Sequence, residues 1–277
     1  MLQVVDKLVK QHYNISQTLH KKVQNLIVNI ITSNKYTNED KILHIDELLT
    51  NYKRPLSADR QDFILQRLTS LLEPIVNKNG DFIILDIGGG NGYILSQLGQ
   101  RFNLQKSNLI CLENNNQSNE FKYNYNLKSI EYSFEPNNLI NSHNKFDLVI
   151  CMVSLHHMND EYIKTNILPL IKKGTYLLIK EHDAYNEDIK DRINWEHHIY
   201  HILETSTFLT KHKIKDYLDN YVGNYKSKTE YQQMFEENGF QLVNTYNNLL
   251  EQQMNNNFEN KTVTKLFWQL YFNKLNF

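Results

Sequence analysis

The chain has 277 residues, 40% of them hydrophobic and 22% charged, with 30 Lys and Arg against 31 Asp and Glu. That length and mixture suit a globular protein able to bury a full core and exclude fibrous and disordered classes. A formal charge of -1 gives no general attraction to nucleic acid or to a membrane surface, leaving only a local basic patch for such partners.

In chain order, residues 4–31 place Val5, Leu8, Val9, Leu19, Val23, Leu26, Ile27, Ile30 and Ile31 mostly at three- and four-residue steps, which predicts amphipathic helix. The opening MLQVVDKLVKQHYN lacks a continuous apolar stretch with a small-residue cleavage site. No later run approaches the ~18 apolar residues that span a bilayer. A soluble, cytoplasmic protein is the expectation. Thr37 and Asp40 have the spacing of a capping box ahead of Ile42, Leu43, Ile45, Leu48 and Leu49, predicting a second helix. Pro55 interrupts the pattern, and Ser57 can cap a helix through Phe63, Ile64, Leu68, Leu71 and Leu72.

From there apolar runs alternate with helical patterns. The predicted strands are Phe82–Ile87, Asn108–Glu113, Ser129–Phe134, Phe146–Met152, Thr175–Lys180, Gln241–Tyr246 and Leu266–Phe272. Alternation of this kind predicts an α/β fold: a Rossmann-like, seven-stranded, mostly parallel sheet with helices on both faces. Cys111 and Cys151 fall inside two of these strands, so buried thiols in a reducing compartment are expected rather than a disulfide or a metal pair.

The first strand runs into FIILDIGGGNGYIL, which has four glycines in the five positions 88–92. In an open parallel sheet the ligand lies beyond the carboxyl ends of the strands, where this turn sits. The dinucleotide spacing G-x-G-x-x-G fails at Tyr93, and no Lys-Ser/Thr pair follows to make a P-loop. The pattern present, Asp86-x-Gly88-x-Gly90-x-Gly92, resembles the first motif of the class I S-adenosylmethionine-dependent methyltransferases. Further likeness comes from NLICLE ending in Glu113, from FDLVICMVSLHHMND, from LIKKGTYLLIKEHD, and from YKSKTEYQQMFEENGFQLVNTYN with KLFWQLYF near the end.

The resemblance covers roughly Ser57 to Phe277. It implies a methyltransferase domain over residues 57–277 with a helical insertion around 184–228, and residues 1–56 as a helical extension or lid. It implies S-adenosylmethionine as cofactor, held by Arg60, Asp86, Gly88, Gly89, Gly90, Asn91, Gly92, Glu113, Asn114, Glu135, Met152 and Val153. In the family Glu113 stands where an acid binds the ribose diol, and Arg54 or Arg60 can meet the cofactor carboxylate, a task suited to the guanidinium fork.

The acceptor is less legible. Histidine suits proton removal near neutrality, and the chain offers His156 and His157 after the fourth strand and His182 with Asp183 after the fifth. NWEHHIYHI adds His197 and His201 on one helical face, with Glu196 and Tyr200 adjacent. His182, Asp183, His157, His197 and His201 are therefore the candidate acid–base or orienting groups. The alternative is that they are hydrogen-bonded structural histidines. Together His182, Asp183, His197 and His201 can also ligate a divalent ion, although no metal is expected.

The chain lacks the Asn/Asp-Pro-Pro-aromatic turn of amino-methylating enzymes, having Met152-Val153-Ser154-Leu155, and it lacks the strand-ending Asp of ribose 2'-O-methyltransferases. A small molecule or a single polar group is the leading acceptor. Two other readings stay open. One is an RNA methyltransferase, for a cap or a structured RNA, with Lys21, Lys22, Lys211, Lys213, Lys215, Lys226 and Lys228 as a basic rim. The other is a non-catalytic subunit retaining the cofactor fold.

Overall fold

The structure, a computed structural model, describes residue 5 and residues 17–50, 58–76, 81–113, 130–133, 135–142, 146–204, 210–247 and 266–274. In chain order its elements are α1 (Gln17–Thr32), α2 (Asn38–Thr50), α3 (Ala58–Leu72), β1 (Ile84–Ile87), α4 (Tyr93–Phe102), β2 (Leu109–Leu112), β3 (Glu131–Ser133), α5 (Pro136–Ser142), β4 (Leu148–Met152), β5 (Tyr176–His182), α6 (Glu187–Glu204), α7 (Lys211–Asn220), α8 (Lys228–Glu237), β6 (Phe240–Asn247) and β7 (Leu266–Asn273). Between β4 and β5 the chain makes short helical turns over residues 160–170. Of the first predicted helix, the part before Gln17 lies largely outside the described residues, as do Ser57 and Arg54.

The elements form two compact units. In the first, α2 packs against α1, α6 and α7. Val23, Ile27 and Ile31 on α1, Ile42, Ile45 and Leu49 on α2, Trp195, Ile199 and Ile202 on α6, and Ile214 on α7 make its core. Their three- and four-residue spacing puts each set on one helical stripe, so burying them is what fixes the helices. The expected start of α2 forms: Asp40 N–H donates to Thr37 Oγ1 at 3.1 Å.

The second unit is the sheet with its covering helices. Strand order is β3-β2-β1-β4-β5-β7-β6. The strands from β3 to β5 pair in parallel, and β7 runs antiparallel to both β5 and β6. Residues of α3 and α4 pack with Ile84, Leu109, Ile150 and Leu178 on one face. On the other face, α5, residues 163–171 and α8 pack with Leu85, Ile110, Val149 and Ile179. Coverage on both faces explains why β2 and β4 read as continuous apolar runs and why β1 is apolar but for Asp86.

Each predicted strand forms within two residues of its expected bounds. The one difference that matters is at β5, which continues through Glu181 and His182 because β7 pairs alongside: Glu181 faces Phe267 and His182 faces Leu266. His182 is therefore a strand residue and not part of the turn that follows, because the antiparallel partner extends the ladder past the polar residues that read as its end. β1 has β2 on one side and β4 on the other, so strand order reverses there and a crevice opens at their carboxyl ends.

Candidate functional site

β1 ends at Ile87 and α4 begins at Tyr93, so residues 88–92 must reverse the chain at the crevice. Gly88 N–H donates to the Leu112 carbonyl at 2.8 Å and Gly92 N–H to the Gly89 carbonyl at 3.0 Å, which ties the turn to β2. Gly90 has φ 58° and a Cβ built there would meet no atom within 4 Å, so its backbone lies open to whatever enters. Gly89 is the opposite case: a Cβ would lie 2.5 Å from Asp86 Oδ2 and 2.9 Å from Cys111 Sγ. The motif thus has one glycine for close packing beneath and another for open approach above. Glu113, just past β2, reaches back so that its Oε2 accepts the Gly90 N–H at 2.7 Å. Asn91 Oδ1 accepts from Tyr93 N–H at 3.1 Å across Gly92, the residue that precedes α4.

Asp86 is buried beneath this turn, and its Oδ1 has no hydrogen-bond partner among the described residues. Burial, then the negative charge of Glu113, pushes its carboxyl up to about 7. A carboxyl so placed, with an oxygen left over, has the chemistry to receive a cationic or hydrogen-bonding group. The neighbouring thiols are inert. Cys111 and Cys151 are both free and buried, and burial pushes both thiols upward. The sequence expectation of buried thiols is met.

The turn after β4 forms the facing wall. Val153 has φ 56°, a left-handed conformation that a β-branched residue adopts at a cost of about 1–3 kcal/mol. Several hydrogen bonds hold it. Val153 N–H donates to the Lys180 carbonyl at 2.7 Å. Ser154 Oγ donates to the Ile87 carbonyl at 2.8 Å, tying the turn to β1. Glu181 Oε1 accepts Ser154 N–H at 3.0 Å and Leu155 N–H at 2.8 Å, and its Oε2 lies 2.8 Å from His156 Nδ1. Glu181 and His156 are both buried. Sequence reasoning passed over Glu181. Its neighbours Lys180 and His182 make this end of YLLIKEH read as polar, so only the strand's burial reveals Glu181 as a charge that must be paired.

His156 brings two of the predicted histidines together. Its ring lies 4.1 Å, centroid to centroid, from that of the exposed His157 and 5.9 Å, edge-on, from that of the buried His182. Asp183 follows His182 at the end of β5. Its Oδ1 accepts Lys228 N–H at 2.9 Å at the start of α8, whose capping box is formed by Ser227 and Glu230.

His197 and His201 belong to the helical unit. His201 stacks on Tyr217, with centroids 3.9 Å apart and planes 2° apart. His197 faces the rings of Tyr221 and Tyr225, whose hydroxyls are hydrogen-bonded to each other. On α6 the buried histidine is His198, which the sequence reading did not single out. Its Nδ1 lies 2.9 Å from Tyr217 Oη, and burial, then the charge of His201, pulls it down to about 4.

Of the remaining predicted residues, Met152 ends β4, Glu135 is exposed ahead of α5, and Arg60 lies in α3 with its side chain outside the described part. Asn114 lies outside the described residues. Two lysines of the expected basic rim are already paired, Lys215 with Asp219 at 2.7 Å and Lys226 with Asp160 at 2.6 Å. Among the described residues no helix is long and apolar enough to cross a membrane.

A family model described as a methyltransferase domain matches residues 56–245. No curated protein sequence matches the chain. Among solved structures, the chain is similar to the plantazolicin methyltransferase BpumL in complex with a triazolic desmethylPZN analog and SAH, at 14% identity, 92% coverage of this chain, 99% of that one and a TM-score of 0.49. It is also similar to the magnesium protoporphyrin IX methyltransferase of Synechocystis PCC 6803 with bound SAH, at 13% identity, with 89% and 92% coverage and a TM-score of 0.45. A third is an S-adenosylmethionine dependent methyltransferase from Mesorhizobium loti, at 13% identity, with 73% and 96% coverage and a TM-score of 0.47.

Proposed function

The chain belongs to the methyltransferase-domain family, and on that premise we propose that it moves the methyl group of S-adenosylmethionine onto a small molecule or onto one polar group of a larger one. The observation that carries this reading is the pairing of an open, left-handed Gly90 with a buried Asp86 whose Oδ1 has no hydrogen-bond partner among the described residues. Those residues fit the cofactor. Gly90 offers backbone that can be approached closely, Asp86 offers a buried carboxyl beneath it, and Glu113 offers a carboxylate one strand away. When bound, the cofactor supplies a methyl group already activated by a sulfonium.

The chain's own task is then to bind, orient and manage a proton. Holding two reacting groups in line supplies several kcal/mol, up to roughly 7–11 in ideal cases. Where the acceptor carries a proton that must leave, His157 and His182 are the groups we assign to receive it, because both adjoin His156 at the ends of β4 and β5. An RNA acceptor is the second reading, in which a phosphate would displace the exposed acids now paired with Lys215 and Lys226.

The test is transfer of radiolabel from methyl-labelled S-adenosylmethionine to a panel of small phenols, thiols, amines and carboxylic acids, with a short capped RNA alongside. Label on a small acceptor is expected. Label confined to the RNA, with binding that weakens steeply as salt rises, would replace the small-acceptor reading.

A further inference from the structure

Glu181 is a carboxylate taken out of water at the buried end of β5, and such a charge persists only where it is well hydrogen-bonded. Its oxygens divide the task. Oε1 receives the Ser154 and Leu155 N–H groups, while Oε2 faces His156 Nδ1 at 2.8 Å. A carboxylate oxygen only accepts, so the proton in that last contact sits on Nδ1. In the neutral ring the basic lone pair is then on Nε2.

Holding the backbone turn does not by itself require an acid. The single carbonyl oxygen of a glutamine could receive both N–H groups that now share Oε1. What the second carboxylate oxygen adds is an acceptor for the His156 ring. That ring in turn adjoins those of His157 and His182, the two histidines assigned above to the acceptor's proton.

We propose that Glu181 is a positioning residue of the acceptor end, fixing His156 as the Nδ1–H tautomer with Nε2 as its basic nitrogen and thereby seating His157 against it. The role rests on the methyltransferase reading of the site. It parallels the way a buried carboxylate orients an imidazole in hydrolytic triads, although here the carboxylate also holds the backbone turn.

The experiment is a side-chain nitrogen–proton correlation spectrum of the full chain, labelled at histidine nitrogens, at pH 8. His156 is assigned through its backbone and checked with His156→Gln. Wild type should show His156 as Nδ1–H. In Glu181→Gln the amide NH2 would donate to Nδ1, so the proton should move to Nε2, with S-adenosylmethionine affinity by calorimetry within about threefold of wild type. A wild-type His156 that is Nε2–H or doubly protonated would overturn the proposal, and that spectrum decides even if the variant does not fold. A tautomer unchanged in a folded Glu181→Gln would also overturn it. The two readings separate cleanly. Wild type that fails to bind S-adenosylmethionine removes the cofactor reading and the positioning role together, whereas normal binding with the wrong tautomer removes the positioning role alone.

Discussion

Replacing Asp86 by Asn keeps the shape of the side chain and deletes a buried charge whose effect on stability depends on pH. The folded-state value is about 7 against 3.8 for the ordinary group, with burial as the larger cause and Glu113 as the smaller. Between those values the folded protein holds a proton that the unfolded chain has released, so stability falls as pH rises from about 4 to about 7 and levels off above. A shift of about 3 units corresponds to roughly 4 kcal/mol when fully developed, and to roughly 1–2 kcal/mol at pH 5. The stability of Asp86→Asn relative to wild type should therefore improve by about 2–3 kcal/mol between pH 5 and pH 8, whatever the substitution costs at any single pH. At about 2–4 °C per kcal/mol for a domain of this size, the difference in Tm should widen by several degrees. Calorimetric scans of both proteins at pH 5, 6, 7 and 8 read it. A Tm difference that stays constant across that range would show that Asp86 titrates normally and that its burial has been misjudged.

The same carboxyl links cofactor affinity to pH. A cationic ligand favours ionised Asp86, so S-adenosylmethionine should bind more tightly as pH rises from 6 to 8 and release a proton on binding, seen as a buffer-dependent heat; equal heats in all buffers would refute this. In the helical unit, His198 is held neutral down to about 4, so it contributes stability above about 6.5 that is lost as pH falls towards 4, worth about 3 kcal/mol in full. Substituting His198→Gln should flatten that acid loss, as followed by hydrogen exchange of α6 and α7, and an unchanged acid profile would count against it. Removing Glu181 outright, as in Glu181→Ala, leaves the Ser154 and Leu155 N–H groups, just after the strained Val153, without their acceptor. It should cost about 3 kcal/mol or more in urea unfolding, and a loss below 1 kcal/mol would mean that water replaces the carboxylate.

Much of the sheet was legible because four- to seven-residue apolar runs bounded by Gly, Asn and Lys can be little else. The glycine turn was legible for a related reason: Gly89 and Gly90 answer local demands, one of packing and one of backbone conformation, that a sequence states directly. What the sequence hid depends on partners far along the chain. The end of β5 reads as polar and therefore as loop, yet β7, some 85 residues later by register, extends it through His182. Glu181 reads as a surface acid until the β4 turn is laid beside it. The left-handed Val153 has no sequence mark at all, since valine is the last residue that local preference would place there. Among the histidines, spacing pointed to His197 and His201, whereas burial and the Tyr217 hydroxyl single out His198.

Titration of S-adenosylmethionine into the wild-type chain and into Gly90→Val, by calorimetry, tests the central claim most directly. The account predicts saturable one-to-one binding to wild type. It predicts a loss of at least about tenfold in Gly90→Val, which stays folded because its side chain enters open space, at a strain cost of about 1–3 kcal/mol from the positive φ. No saturable binding to wild type, or equal binding by both proteins, would contradict the placement of the cofactor on this turn.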